Sequence, residues 1–396
     1  MLPASVKRLP GAEQSCILNS WSMFSDGAGL MGRDRPAGPE SNKHRPDEGG
    51  ELALLARIRA RAADSVSNRN LRLGIGDDCA LVSVGPGEEI AVTTDLSIAG
   101  RHFELAWHPA EAIGRRVLAR GLSDLAAMGA RPIAAFLSLG IPKELVAVGG
   151  GKSAIHAYPT RKAKTLTAWI DRFYDGLFAL ASEFDTPLAG GDLAESPIAA
   201  ADIILVGAVT RGKALLRSDA RPGDAIYVTG SLGGAAAGLE ILKALAGKRK
   251  GSGVGGLKIP IETEVALAKH LYPQPRVRQG LWLARRGVAT AAIDVSDGLS
   301  TDLRHLCEES GVAAELDAVA LPVSAGTTLE QALHGGEDYE LLFTARPNTC
   351  LPRKIAGVEV TRIGRIARRS AKKPLVTLVT PEGRAALVAH GWQHFA

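Results

Sequence analysis

The sequence predicts an α/β (α+β) protein of two domains, and three observations carry that expectation. Strand-like and helix-like stretches mix in both halves of the chain. A charged, Pro- and Gly-containing stretch, SDARPGD at 218–224, separates the halves. The 396 residues suffice for two cores of ordinary size. The expected division is a disordered extension over 1–48, an N-terminal α/β domain over 49–218 and a C-terminal α/β domain over 219–396.

The extension is rich in Gly, Pro, Ser and charge and has no sustained apolar period. It reads as disordered, or as translated sequence ahead of a later start such as Met23 or Met31. Order is expected from ELALLARIRARAA onward, whose apolar residues repeat at helical spacing. EEIAVTTDLS then reads as a strand. In PAEAIGRRVLARGLSDLAAMGA, residues Ile113, Val117, Leu122, Leu125 and Met128 trace one face of a helix opening near Pro109. AAFLSLGIP reads as a strand, the Gly-rich basic stretch 145–166 as a surface loop or insertion, and LTAWIDRFYDGLFALASEF as a helix. The strands TPLAGGDLAES and AADIILVGAVTRG follow. Beyond the boundary, AIYVTGSLGGAAAGLEIL predicts strand, Gly-rich turn and helix. TAAIDVSDGLSTDLRHLCEES repeats that order, with its helix opening near Gly298. GGEDYELLFTA and a strand-rich tail close the chain.

With 46% hydrophobic and 22% charged residues, the composition is that of a soluble globular protein. A net charge of +5 suits an enzyme of anionic substrates and, equally, a weak nucleic-acid binder. The 5% aromatic content and scattered basic residues give neither a stacking platform nor a basic stripe, so nucleic acid is not an expected partner. Cys16, Cys79, Cys307 and Cys350 lie far apart with no CxxC pair, which predicts reduced thiols in a cytoplasmic protein. No stretch approaches the length of an apolar membrane span, and the N-terminus has no sustained apolar signal region. Two short motifs carry little. VGGGKSA has Ala147 where a phosphate-binding P-loop needs its first Gly, and VTGSLGG lacks the spacing of a hydrolase nucleophile elbow.

The recurrent feature is an aspartate at or just after the end of an apolar strand. Asp95 closes IAVTTD, Asp192 closes PLAGGD, and Asp294 and Asp297 stand in AAIDVSD. Asp78 follows the turn in LRLGIGDDCALV, and Asp124 lies in the helix GLSDLAAMGA. Singly, each suits a helix N-cap or a tight turn. Together, carboxylates converging from several strand ends repel one another unless a cation sits among them. Oxygen ligands without nearby His or Cys point to a hard ion, Mg²⁺, held by a few carboxylates together with substrate phosphates.

These residues sit in segments with a specific likeness. GIGDDCALV, TTDLSIAGRHF, GLSDLAAMGARP, GGDLAESP, AIDVSDGLSTDL, GGEDYELLF and the terminal GWQHFA resemble, in that order, the thiamine-monophosphate kinase family, over about residues 50 to 396. That family belongs to a superfamily with aminoimidazole ribonucleotide synthetase and selenophosphate synthetase. The resemblance implies an N-terminal α/β domain that dimerises through its sheet, a C-terminal α/β domain, and a cytoplasmic homodimer. It implies transfer of the γ-phosphoryl group of ATP to thiamine monophosphate. Carried over by motif, Asp78, Thr93, Thr94, Asp95, Asp124, Asp192, Asp294 and Asp297 would hold Mg²⁺. Gly191, Arg217 and Ser296 would contact ATP, and His102, Glu337 and Trp392 would meet thiamine monophosphate. Plain tail packing remains the alternative for Trp392, and a solvated turn acid for Glu337.

The chemistry fits. The acceptor phosphate is already largely ionised at pH 7, so direct in-line transfer needs no general base and no covalent carrier. The obstacle is repulsion between acceptor and triphosphate: two unit charges ~4 Å apart cost roughly 4 kcal/mol at an effective dielectric of about 20. Metal ions on aspartates screen it. The chain departs from the family in three places. GGDLAES stands for the usual GGDTTRG, the 145–166 stretch is long, and the extension has no counterpart. Related ATP-using enzymes and a non-catalytic nucleotide-binding protein are the alternatives. The first would need a nucleophilic Cys near a Lys, or a terminal Cys, and the chain supplies neither pattern; the second has little use for so much unneutralised acid.

Overall fold

A computed structural model describes residues 51–65, 68–75, 79–146, 168–248 and 261–392. The extension, Asp78, residues 147–167 and the last four residues lie outside the described set. The first half contains α1 (Glu51–Ser65), β1 (Leu71–Leu73), β2 (Leu81–Val82), β3 (Glu88–Ile98), α2 (Ala110–Ala127), β4 (Arg131–Ile141), α3 (Trp169–Glu183), β5 (Leu188–Glu195) and β6 (Ala200–Thr210). The second half contains β7 (Ala225–Thr229), α4 (Gly234–Lys248), α5 (Ile261–Leu271), α6 (Val277–Arg286), β8 (Ala289–Val295), α7 (Leu299–Glu309), β9 (Ala313–Asp317), α8 (Leu329–His334), β10 (Glu340–Ala345), β11 (Lys354–Ile355), β12 (Val358–Ala367), β13 (Val376–Thr380) and β14 (Gly383–Ala386). The mixed α/β class expected from the sequence is therefore found in both halves.

A four-stranded sheet of order β3-β6-β4-β5 organises the first half, with β4 and β5 parallel and the other pairs antiparallel. Parallel neighbours need a crossover, and α3 supplies it. Pro109 precedes α2 with φ −60°, already set for the turn into the helix. The predicted apolar face is then buried: Ile113, Val117, Leu122 and Leu125 are at most 1% exposed. With α3 this helix covers one face of the sheet. The β1–β2 ribbon packs on part of the other face, against Ile133, Ala134 and Ala189. The rest of that second face is open. Ile90, Val92 and Leu96 on β3 are 55%, 62% and 49% exposed, in a period-2 pattern that faces them all away from α2.

The second sheet runs β14-β13-β9-β12-β7-β10-β8, with β11 paired to β12. Its own core gathers Ile226, Val228, Ile293, Leu303 and Leu342. Sequence patterning passed over four elements here. β9 is a five-residue strand, and α8 is only six residues, held by a capping box between Thr328 and Gln331. α6 is ten residues long with three arginines among its apolar positions, and α5, eleven residues, follows a Gly-rich stretch.

The two halves share a core. Val277, Leu283, Leu341 and Phe343 from the second half belong to the same buried cluster as Val117, Leu118 and Leu205 from the first. α6 approaches α2 so closely that a Cβ at Gly280 would lie 2.0 Å from the Ala126 carbonyl oxygen. Only glycine permits that crossing.

Candidate active site

The site is laid out along one face of α2. Arg116, Arg120 and Asp124 recur at i, i+4 and i+8, one above the other on the helix. Each reaches a different element. Arg116 Nη2 donates to Glu337 Oε1 at 2.6 Å. Arg120 pairs with Asp95 on β3 at 2.5 Å. Asp124 Oδ2 accepts a 2.5 Å hydrogen bond from Thr93 Oγ1, and the neighbouring Ser123 hydroxyl donates to Asp294 Oδ2 at 2.7 Å. From Arg116 to Asp124 the helix rises about 12 Å. Over that length α2 touches residues from both halves.

The acidic end is electrostatically unsettled. Burial and the nearby Asp124 charge push the Asp294 carboxyl up to about 7, against the opposing pull of the Ser123 hydroxyl and Arg217. Asp124 is pushed upward by burial and by Asp95, while Thr93, Arg217 and Arg120 act the other way. Arg217 itself is exposed on the turn between the sheets, and its charge acts on both carboxyls of this pair. Among the described residues no three His, Cys, Asp or Glu side chains converge as a complete metal site. The donor set still fits Mg²⁺: oxygen-only carboxylates whose mutual repulsion a divalent cation would relieve, with room for phosphate oxygens to complete the shell.

The turn after β8 is shaped from beneath. Asp302, buried in the first turn of α7, accepts through Oδ2 from the amides of Ser296, Asp297 and Gly298 at 3.1, 3.1 and 3.0 Å. That clamp fixes the backbone of the turn that follows Asp294. The Gly335–Tyr339 stretch lies across the same turn, with the Glu337 amide donating to the Ser296 carbonyl at 2.8 Å. Glu337 and Tyr339 have φ of +67° and +51°, a conformation non-glycine residues adopt at a cost. The C-terminal segment folds back to the same place. The Trp392 amide donates to the Asp297 carbonyl at 3.0 Å, and the indole-bearing residue is 47% exposed. His102 follows β3, its Nδ1 accepting the Ile98 amide at 3.0 Å.

The structure thus brings together Thr93, Asp95, Asp124, Asp294, Ser296, Asp297, Arg217, His102, Glu337 and Trp392. It sets Thr94, Gly191 and Asp192 apart. Alternation along β3 puts the Thr94 side chain on the open face, opposite Thr93 and Asp95. Across the sheet, Asp192 shares a row with Ser138, Asp202 and Leu96, which is also the open face. From β3 to β5 there are three strand spacings, about 14 Å. Asp78 lies outside the described residues. Gly191 has φ +147°, and a Cβ there would sit 2.0 Å from the Leu137 carbonyl oxygen, so the backbone alone occupies that edge. Beside it opens a cleft of about 410 Å³, lined by Leu55, Ile58, Phe136, Tyr174 and the β5 edge, with Cys79 at its rim.

Arg116, Arg120, Ser123, His270 and Asp302 went unnoticed in the sequence. The available signal was the i, i+4 recurrence of Arg116, Arg120 and Asp124 in an otherwise apolar helix.

The chain that builds these two sheets belongs to the AIR synthase related proteins. The family models for their N-terminal and C-terminal domains match residues 76–212 and 221–374. Thiamine-monophosphate kinase of Salmonella typhimurium (strain LT2) is 38% identical over 305 residues, covering 74% of this chain and 82% of the relative. The crystal structure of thiamine-monophosphate kinase from Stenotrophomonas maltophilia K279a aligns with TM-score 0.65 at 37% identity, covering 83% of this chain and 96% of that one. A structure of AaThiL complexed with AMPPCP and TMP aligns with TM-score 0.63 at 28% identity, covering 90% of this chain and all of that one. The chain belongs to the thiamine-monophosphate kinase family.

Proposed function

We propose that this protein transfers the γ-phosphoryl group of ATP to thiamine monophosphate, giving thiamine diphosphate and ADP, the last step of thiamine diphosphate formation. The observation that carries the reading is the α2 face, where Asp124 in the acidic cluster stands two helical turns, about 12 Å of rise, from the Arg116 that holds Glu337. A phosphoryl donor belongs at the acidic end and a cationic heterocycle bearing a phosphate at the other. AaThiL, complexed with AMPPCP and TMP, supports this pair of substrates by likeness.

Asp95, Asp124, Asp294 and Asp297, with Thr93, would hold Mg²⁺, whose charge screens the phosphates of both substrates. Arg217 and Ser296 would bind triphosphate oxygens, and the cleft beside Gly191 has the size and apolar lining for the adenosine portion. Glu337 offers a carboxylate, and Trp392 an indole face, to the permanent positive charge of the thiazolium ring. His102 stands beside them. The acceptor oxygen is ionised already, and among the described residues no Ser, Cys or His is poised as a covalent carrier, which favours direct in-line transfer. The free thiols of Cys79, Cys307 and Cys350 suit a cytoplasmic enzyme. Among the described residues no helix is long and apolar enough to cross a membrane.

A homodimer completes the reading. The open sheet face with Ile90, Val92 and Leu96 is apolar, and Thr94 and Asp192 lie on it. A second copy packed there buries the patch and gives those two residues a partner surface. Val92→Asp is expected to shift the protein from dimer to monomer in light scattering and to lower turnover with it. A dimer of unchanged mass would remove this interface.

The decisive assay is coupled ADP release with thiamine monophosphate, thiamine and other phosphomonoesters. ADP formation is expected with thiamine monophosphate only, to vanish on chelation, and to show intersecting initial-rate lines. Equal rates with unphosphorylated thiamine, or full activity without Mg²⁺, would overturn the function; parallel lines would overturn direct transfer.

A further inference from the structure

Glu337 is not oriented by its own turn. Arg116, 4% exposed, donates from Nη2 to Glu337 Oε1 at 2.6 Å and to the His102 carbonyl oxygen at 3.4 Å. From Nη1 it donates to the His270 carbonyl oxygen. One guanidinium therefore ties together both polar residues expected at the thiamine end. The other Glu337 oxygen, Oε2, faces His270 Nδ1 at 3.5 Å, and the His270 ring is 1% exposed.

The imidazoles behind it have fixed tautomers. His108 Nδ1 accepts the Glu104 amide at 3.0 Å, so its proton resides on Nε2. That proton is donated to His270 Nε2, 3.0 Å away. That leaves the His270 proton on Nδ1, which stands 3.5 Å from Glu337 Oε2 and 3.3 Å from the Arg116 Nη1 that the same carboxylate attracts. Burial, reinforced by the Arg116 charge, lowers His108 to about 3 and moves His270 well below its ordinary value, so both rings stay neutral. The series runs one way, from the Glu104 amide to the Glu337 carboxylate. It also crosses once between the halves: Glu104 and His108 come from the first, His270 and Glu337 from the second.

We propose that Arg116 and His270, with His108 behind it, are positioning residues that fix the Glu337 carboxylate and the His102 segment for the cationic part of the acceptor. The inference rests on the reading that Glu337 and His102 meet thiamine monophosphate. With Arg116 donating to one oxygen and the His270 ring facing the other at 3.5 Å, the carboxylate is restrained in rotation and keeps lone pairs for the ligand. About a quarter of the Glu337 side chain stays exposed, enough to be touched.

The test compares KM for thiamine monophosphate, KM for ATP and kcat in Glu337→Gln, Arg116→Lys, His270→Leu and His270→Asn. The Asn amide places an N–H near the position of imidazole Nδ1; Leu fills the volume without one. His270→Leu and Arg116→Lys are expected to raise KM for thiamine monophosphate about tenfold or more, with KM for ATP little changed. His270→Asn is expected to recover most of that loss. Should His270→Leu fail to fold, His108→Gln and His108→Leu repeat the comparison one link away, since only Gln keeps the donor. Parallel rises in both KM values, or no advantage of Asn over Leu, would overturn the positioning role. If Glu337→Gln raises KM for thiamine monophosphate while Arg116→Lys and His270→Leu do not, the proposal falls and the site reading stands. If Glu337→Gln itself changes nothing, the site reading falls and takes the proposal with it.

Discussion

Asp294→Asn is expected to lower kcat by ~10²–10³-fold, the scale of losing one preorganised electrostatic group, while leaving the fold intact. Asp294 is 2% exposed, faces Asp124, and is held up to about 7 by burial and that neighbouring charge. The amide keeps the shape and can still accept from the Ser123 hydroxyl, so the packing around β8 survives. What disappears is one of the charges that would hold Mg²⁺ against the triphosphate. Thermal unfolding should show a midpoint equal to or above that of the unsubstituted protein, because the change removes charge from a buried, like-charged site. Near-normal turnover would return Asp294 to a purely structural role. A collapse of the midpoint would show that the carboxylate holds the turn together.

The second large effect is on stability against acid. His108 and His270 are buried and neutral, with folded values depressed far below the ordinary 6.5. The unfolded chain binds their protons as pH drops through about 6.5, and the folded chain refuses them. Their contribution to stability is therefore full above pH 6.5 and is lost as pH falls toward 3, by about 1.4 kcal/mol per pH unit for each ring in the steep part. Glu337 adds to the loss lower down. Burial opposes its charge, but Arg116 and His270 hold it at about 2, so its contribution is present above its ordinary value of 4.5 and fades below it. Buried Asp294 and Asp338, both held up to about 7, act the other way, since the folded chain takes up their protons before the unfolded chain does. The histidine part is therefore read as a difference: between pH 8 and pH 4, denaturant midpoints should drop relative to those of a variant with both histidines replaced by Gln, and parallel curves for the two proteins would place the acid sensitivity elsewhere.

Much of this architecture can be read from the chain, and the limits are physical. Ile113, Val117, Leu122 and Leu125 declare the buried side of α2 by their period, because burial against a sheet needs only apolar area. The polar residues on the rest of the helix declare nothing comparable. Arg116, Arg120 and Asp124 look like a solvated stripe until the second half of the chain is brought against them, and no local pattern encodes that meeting. The run Thr93-Thr94-Asp95 shows the opposite case. The strand was legible, and its period of two already forbids three consecutive side chains from reaching one ion; the family motif, carried over residue by residue, has no such parity. Asp302 shapes the active turn from below by accepting three amides, yet in sequence it is one acid in the first turn of a helix, where acids are common. α8 is too short for any periodicity, and only its capping box betrays it.

The backbone contact at Gly280 against Ala126, within a core drawn from both halves, reaches into how the chain is made. While it emerges from the ribosome, the first sheet has its α2 helix in place but not the α6 surface that seals it, nor Leu341 and Phe343, which complete the shared cluster. A nascent first half must wait, with apolar surface bare, for residues more than a hundred positions downstream. Calorimetry of the finished protein should accordingly record one cooperative transition rather than two, and the first half expressed alone should lean on chaperones rather than persist as an independent module.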